Sequence, residues 1–290
     1  MKRVIDVHVH LTPPEIAADR DKFLQGEGAW TDLYRDRQGR MVSTDNLLAM
    51  MDEEGVDQSL VMGFPWSNED TAKRHNEWIL AEAQKHPGRL IPLAAFDLLA
   101  PWAIRHVEEM LDAGMAGLGE LALYDRGFGP AELDILEELG AMCRMRNKVL
   151  LMHVNEPIGH QYPGKAPLEI GQIYELVRRC QNVKLILAHF GGGLPLLAAL
   201  KKEVKEALAT VRFDTAAMPY LYQPVVMSMV LKILGPEHFF LGTDYPLLKP
   251  ARYRKFFHEA GLSESDVDLI MGQAAHEYLA ASPAPPCGQS

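Results

Sequence analysis

The stretch that decides the fold is Val4-Ile5-Asp6-Val7-His8-Val9-His10, "VIDVHVH", a β-branched apolar run that ends on two imidazoles two positions apart. Alternate residues of a strand point the same way, about 6.6 Å apart. The run therefore reads as a strand with His8 and His10 facing inward and Val7 and Val9 facing a covering layer. Asp6 falls on the histidine face one layer deeper, where it is expected to orient a ligand imidazole.

Seven further runs of similar character follow, at 59–63, 90–96, 117–121, 149–154, 184–189, 211–214 and 239–243. Between them lie stretches of helical period such as "NLLAMMDEEG" and "AELDILEELGAMCRMRN", several ending in glycine as helix C-caps do. Strands alternating with helices imply a parallel sheet covered by helices, and eight such units match an α/β fold of the (β/α)8 TIM-barrel type. A doubly wound open sheet is the competing arrangement, but no glycine-rich fingerprint follows the first strand. The barrel domain is read as residues 1–281, with "SPAPPCGQS" at 282–290 as a disordered Pro-rich tail. Two long βα connections, 11–43 and 155–168, are expected to lie over the barrel mouth.

Net charge is −10 over the 290 residues, which argues against nucleic-acid and anionic-membrane partners. Three cysteines without metal-site spacing read as reduced thiols of a cytoplasmic protein. No apolar run approaches the roughly 20 residues of a membrane span. The faces "LPLLAAL" and "VVMSMVLKIL" leave open whether the chain forms a homo-oligomer.

The chemistry collects at strand ends. His8 and His10 close the first strand, Glu120 the fourth, His153 the fifth and His189 the sixth, and the eighth runs into Asp244. A barrel gathers all eight C-terminal strand ends around one opening. Imidazoles at i and i+2 of a strand can bend onto one divalent cation at about 2.0–2.1 Å. The remaining histidines lie in helical or connecting stretches and read as packing or surface residues.

The segments "IDVHVHLTP", "LLAMMDEEGVDQSLVMG", "VLLMHVNEP", "KLILAHFGGG" and "FLGTDYP" resemble the amidohydrolase superfamily, and more closely its amidohydrolase-2 branch, which includes aminocarboxymuconate-semialdehyde decarboxylase-like enzymes. The resemblance implies a metal held by His8, His10 and Asp244, with His153 a further ligand and His189 a ligand or hydrogen-bonding catalytic group. It makes Asp244 the residue that takes a proton from activated water. Zn²⁺ is the first choice, as one or two ions, with Mn²⁺, Fe²⁺ and Ni²⁺ compatible. Glu120 stands where two-metal members place a bridging group, which the mononuclear decarboxylase-like members lack.

The first reading is therefore a hydrolase acting on an amide, ester or lactone of a small molecule. The alternative is a decarboxylase or other lyase of an unsaturated or aromatic acid. Such a lyase needs cations for the acid, and Arg126 and Lys165 are the candidates. Trp66, Tyr124, His160 and Tyr245, on βα loops, are the candidate substrate contacts. Gly191-Gly192-Gly193 reads either as an anion-binding helix start or as a tight turn.

Overall fold

The computed structural model describes residues 3–36 and 39–281. The expected tail at 282–290, with Cys287, lies outside the described residues. Eight parallel strands pair in sequence order: β1 (Ile5–His10), β2 (Gln58–Met62), β3 (Leu90–Ala94), β4 (Gly117–Leu121), β5 (Val149–Met152), β6 (Lys184–Leu187), β7 (Arg212–Asp214) and β8 (Phe239–Phe240). The ring closes through the chain after β8. The Val7 N–H donates to Leu241 O (2.8 Å) and the His10 N–H to Tyr245 O (2.9 Å). This is a (β/α)8 barrel, as the alternation of runs implied.

Side-chain alternation divides the core into two layers. Leu60, Met62, Leu93, Val149, Leu151, Ile186 and Phe240 fill the lumen. Their neighbours Val61, Leu150, Met152, Leu185, Leu187 and Phe239 pack outward under the helices. β1 departs from the simple alternation read from its sequence. Asp6 pairs with Ser59 and Val9 with Val61, so three residues of β1 advance against two of β2. This extra residue is a bulge at Val7-His8, and a bulge re-aims side chains. Val7 consequently joins Ile5 in the lumen instead of facing the helices, while Val9 does face them. β4 carries the same irregularity between Leu118 and Leu121, at the position of Glu120.

The N-terminal end of the barrel is closed by the C-terminal helical segment. Ala274 and Ala275 enter the lumen cluster. Leu241 N–H donates to Ile270 O (2.8 Å), and Lys184 Nζ donates to Ala281 O (2.6 Å). The opposite end is covered by the 11–43 connection, which contains helices Pro14–Ala18 and Gly28–Tyr34. Helix Thr44–Glu54 follows, started by Ser43 accepting the Asn46 N–H and ended by left-handed Gly55 at φ 70°.

Gly272 is the point of closest approach between plug and barrel. A Cβ there would collide with Arg3 O and lie 2.5 Å from Ile5 N, both main-chain atoms. Gly272→Ala is expected to destabilise the fold by about 1–3 kcal/mol. A lower urea midpoint at unchanged slope would show this, and an unchanged midpoint would mean that the plug yields.

Candidate metal centre

Each strand-end residue arrives at the mouth by its own local device. His8 and His10 come from β1 and Glu120 from β4, at the two bulges. His153 is the first residue after β5 and still donates its N–H to Leu121 O (2.8 Å). The sixth and eighth strands end sooner than their apolar runs suggest, because the chain turns at His189 and Asp244. These two hold φ values of 51° and 56°, in the left-handed region that costs a residue with a Cβ roughly 1–2 kcal/mol. His189 is held there by its N–H to Asp214 Oδ1 (2.9 Å), and Asp244 by its carbonyl accepting from Leu247 N (2.7 Å).

Glu120, buried, is the hub. Its Oε1 lies 2.9 Å from His153 Nδ1 and 3.3 Å from His189 Nε2. Its Oε2 lies 3.5 Å from His8 Nε2 and 3.6 Å from His10 Nε2. Asp244 Oδ1 approaches the second pair, at 3.4 Å from His10 Nε2 and 3.7 Å from His8 Nε2. The carboxylate of Glu120 thus faces a different imidazole pair with each oxygen.

The outer nitrogens define the tautomers. His8 Nδ1 donates to Asp214 Oδ2 (2.8 Å), His10 Nδ1 to Gly63 O (3.3 Å), His189 Nδ1 to Ala216 O (3.2 Å) and His153 Nε2 to Gly164 O (3.0 Å). Carbonyl and carboxylate oxygens only accept, so each ring carries a hydrogen outward. The inward nitrogens of His8, His10 and His189 are left a lone pair, whereas His153 Nδ1, 2.9 Å from Glu120 Oε1, donates there as well until an ion takes its place. His8 Nε2 and His10 Nε2 then face each other at 3.1 Å, lone pair against lone pair. Something positive must stand between them, a proton or a metal ion.

Electrostatics agree with this. Burial opposes a charged His8, yet Glu120 and Asp214 together raise its pKa well above the usual range. Burial likewise opposes ionised Glu120, but His8 and His153 hold its pKa well below the carboxylate norm. Asp244 is depressed against its own burial by His10, His8 and His189. Three overlapping sets have ligand atoms close enough for one ion: His8, His189 and Asp244; His8, His10 and Glu120; Glu120, His153 and His189. Imidazole nitrogens with carboxylate oxygens form a donor set that fits a divalent transition ion.

Several expectations need correction. Asp6 does not orient an imidazole. It accepts from Thr243 Oγ1 (2.5 Å), Thr243 N (2.9 Å) and the His8 main-chain N–H (3.2 Å), and burial pushes its carboxyl up to about 7. Asp214 at the end of β7 does that work, a role that the run "VRFDT" does not signal. Trp66 is fully buried, donating Nε1–H to His75 Nδ1 (2.9 Å) within a cluster with Trp30 and Phe64, and does not line the mouth. His160 is exposed, with its ring on Tyr162, and has no contact with the cluster.

Tyr124 does reach the cluster, its ring 4.9 Å from that of His153. Tyr245 follows Asp244 and flanks the cluster without joining it. Arg126 is paired with Asp125 at the surface, and Lys165 is taken up by Glu156 at 2.9 Å. The glycine run is a tight turn: a Cβ on Gly192 would sit 2.6 Å from Asn155 O, and the helix after it, Leu194–Leu197, has only 4 residues. Tyr34, which no motif marked, packs on Trp30 in the first connection. Burial, and the negative charges of Asp244 and Glu120, raise its phenol pKa, and its ring also meets Phe64 edge-on.

A sequence profile described as Amidohydrolase matches residues 5–279. The chain belongs to the amidohydrolase family. No functionally curated protein matches it by sequence. Among solved structures, this amidohydrolase is similar to the 5-carboxyvanillate decarboxylase of Sphingomonas paucimobilis at 19% identity and TM-score 0.71, over 96% of this chain and 99% of that one. It is similar to the 2,6-dihydroxybenzoate decarboxylase of Rhizobium at 16% identity and TM-score 0.68, over 96% and 99%. A dihydroxybenzoic acid decarboxylase from a Polaromonas species, with bound manganese and the inhibitor 2-nitroresorcinol, gives 17% identity and TM-score 0.66, over 96% and 97%. At these identities the likeness is one of fold. No helix among the described residues is long and apolar enough to cross a membrane.

Two outcomes are expected. Asp214→Asn frees the His8 ring and is expected to weaken metal binding about 10–100-fold, measured by chelator competition. Protons and metal compete for the inward lone pairs. Because the His8 pKa is raised without metal, loading expels its proton, so apparent affinity falls as pH drops and rises until His8 deprotonates on its own. Calorimetry in two buffers of different ionisation enthalpy should show proton release on loading at neutral pH, and zero release would mean that His8 carries no second proton before loading.

Proposed function

We propose that this amidohydrolase is a metal-dependent hydrolase that opens an amide, ester or lactone bond of a small molecule. The observation that carries the reading is the division of Glu120, with Oε1 toward His153 and His189 and Oε2 toward His8 and His10. A carboxylate committed in this way suits two cations, one with His8, His10 and Asp244 and one with His153 and His189. We assign Zn²⁺ on the strength of the four imidazoles, with Mn²⁺, held by the Polaromonas relative, as the next candidate. Such ions, when bound, polarise a carbonyl and lower the pKa of water toward 7.

The chain's own groups do the rest. Asp244 has a side chain 21% exposed against 4% for Glu120, so it is the carboxylate of the pair open to the mouth. It can accept a proton at Oδ1 and return it to the leaving group. His189 Nε2, on the far side of Glu120, is a ligand atom for the second ion in this arrangement; left without an ion and protonated, it would instead donate to developing negative charge on the substrate oxygen. Asp214 and the carbonyls of Gly63, Gly164 and Ala216 keep the four rings from turning. Tyr124 forms an apolar wall over His153, stacked on Phe64 with ring centroids 6.4 Å apart. The buried free thiols of Cys143 and Cys180 support a cytoplasmic location.

Decarboxylation of an aromatic or unsaturated acid is the second reading. Likeness of fold favours it over hydrolysis, since the three similar enzymes named above are decarboxylases. Glu120 weighs the other way, because the resemblance implies no bridging carboxylate in mononuclear decarboxylase-like members.

Metal per chain, measured for wild type and Glu120→Ala, separates the two when paired with assays of ester and lactone cleavage and of CO₂ release from dihydroxybenzoates. Close to two ions falling to one, with hydrolysis, is expected. One ion in both, with CO₂ release, would overturn the hydrolase reading. Asp244→Asn is expected to lower kcat about 10²–10⁴-fold.

A further inference from the structure

A second recess opens beside the cluster, between the 39–42 and 245–249 segments, with a volume of ≈ 550 Å³. That lies within the roughly 300–1,000 Å³ usual for small-molecule sites. In a chain of 39 acidic and 29 basic residues, its lining holds Arg20, Arg40 and Lys249 and no carboxylate. We propose that this recess binds a carboxylate of the substrate through Arg20 and Arg40, while the reacting bond lies at the metal cluster. The proposal rests on that cluster being the reacting centre.

Lys249 contributes little, since Glu53 Oε2 already holds its Nζ at 2.6 Å. The arginines are different. Among the described residues Arg20 Nη1 touches the carbonyls of Tyr34 (3.4 Å) and Gly39 (3.3 Å), long contacts that set its guanidinium one residue from Arg40. Neither arginine has an ion-pair partner among the described residues. A guanidinium fork matches a carboxylate with two parallel hydrogen bonds.

The recess walls also adjoin the chain segments that carry the cluster. Tyr245 is the residue after Asp244, and its carbonyl accepts the His10 N–H (2.9 Å). Val42, on the opposite wall, accepts from Thr12 N (3.0 Å), two residues beyond His10. With Tyr245 and Leu248 it supplies apolar surface to the recess. A ligand with an anionic end and an apolar body fits such a lining.

Calorimetry on the Zn²⁺-loaded protein at fixed ionic strength tests this, with benzoate as the carboxylate probe, benzamide as its neutral analogue and inorganic phosphate as a second anion. Saturable benzoate binding without benzamide binding is expected, weakened at least about tenfold in Arg40→Gln and in Arg20→Gln and kept within about twofold in Glu120→Gln. Should Arg20→Gln fail to fold, the exposed Arg40→Gln decides. The proposal is overturned by benzoate binding that both arginine variants keep, by no saturable binding, or by loss in Glu120→Gln alone, which would put the carboxylate on the metal cluster. Phosphate binding as tightly as benzoate would overturn the carboxylate assignment. Metal content measured in parallel keeps the two readings apart: arginine-dependent benzoate binding by a chain that takes up no metal would sink the hydrolase and leave the recess standing.

Discussion

Two imidazole nitrogens, His8 Nε2 and His10 Nε2, are held 3.1 Å apart with their hydrogens turned outward, and much of the mouth is arranged around that conflict. Neutral rings in this arrangement repel. The contact persists because Asp214 and Gly63 O fix the outer nitrogens and because Glu120 and Asp214 favour a proton on His8 that can lie between the two rings. The bulges in β1 and β4 and the left-handed turns at His189 and Asp244 are the backbone cost of bringing these groups together. A cation in the gap would remove the repulsion, so the geometry suits a metal ion.

The layer beneath the first connection has a supporting role. His75 sits between Trp66 Nε1–H and Leu11 O, to which its Nε2–H donates (2.9 Å). Burial lowers its pKa to about 4, so it stays neutral and bridges two otherwise unmatched polar groups in an apolar setting. Trp66 and Trp78 pack against its ring, Trp30 and Phe64 pack on Trp66, and Tyr34 packs on Trp30. The long connection is therefore anchored by its aromatics, which are its core and not its pocket.

Fold and chemistry separate in this family. A barrel of the same plan serves the decarboxylases to which the chain is similar, and what distinguishes one reaction from another is which strand tip carries which group. Here the tip of β4 carries Glu120, whose two oxygens face different imidazole pairs. The recess beside Asp244 adds a second asymmetry, a local positive charge on an acidic protein, which bears on substrate choice and not on the reaction type.

The barrel was legible from "VIDVHVH" and its seven successors because eight short apolar runs separated by helical periods admit few packings. The strand-tip set was legible for the same reason: once the topology is known, residues at C-terminal strand ends must converge. The contribution of Asp214 was not legible, since one aspartate at a strand end carries no motif and acts only through a ring 206 positions away. Strand parity misled at β1, where period-2 reasoning assumed an unbroken ladder and the bulge moved Val7 inward and Asp6 to Thr243. Trp66 and His160 misled because a loop sequence does not say which aromatics fold under and which face the mouth. Sequence by itself determined which chemical groups reach the mouth. Tertiary structure decided their tautomers, which oxygen of Glu120 meets which ring, and where Arg20 and Arg40 stand, because these depend on contacts between segments whose separation in the chain no local pattern encodes.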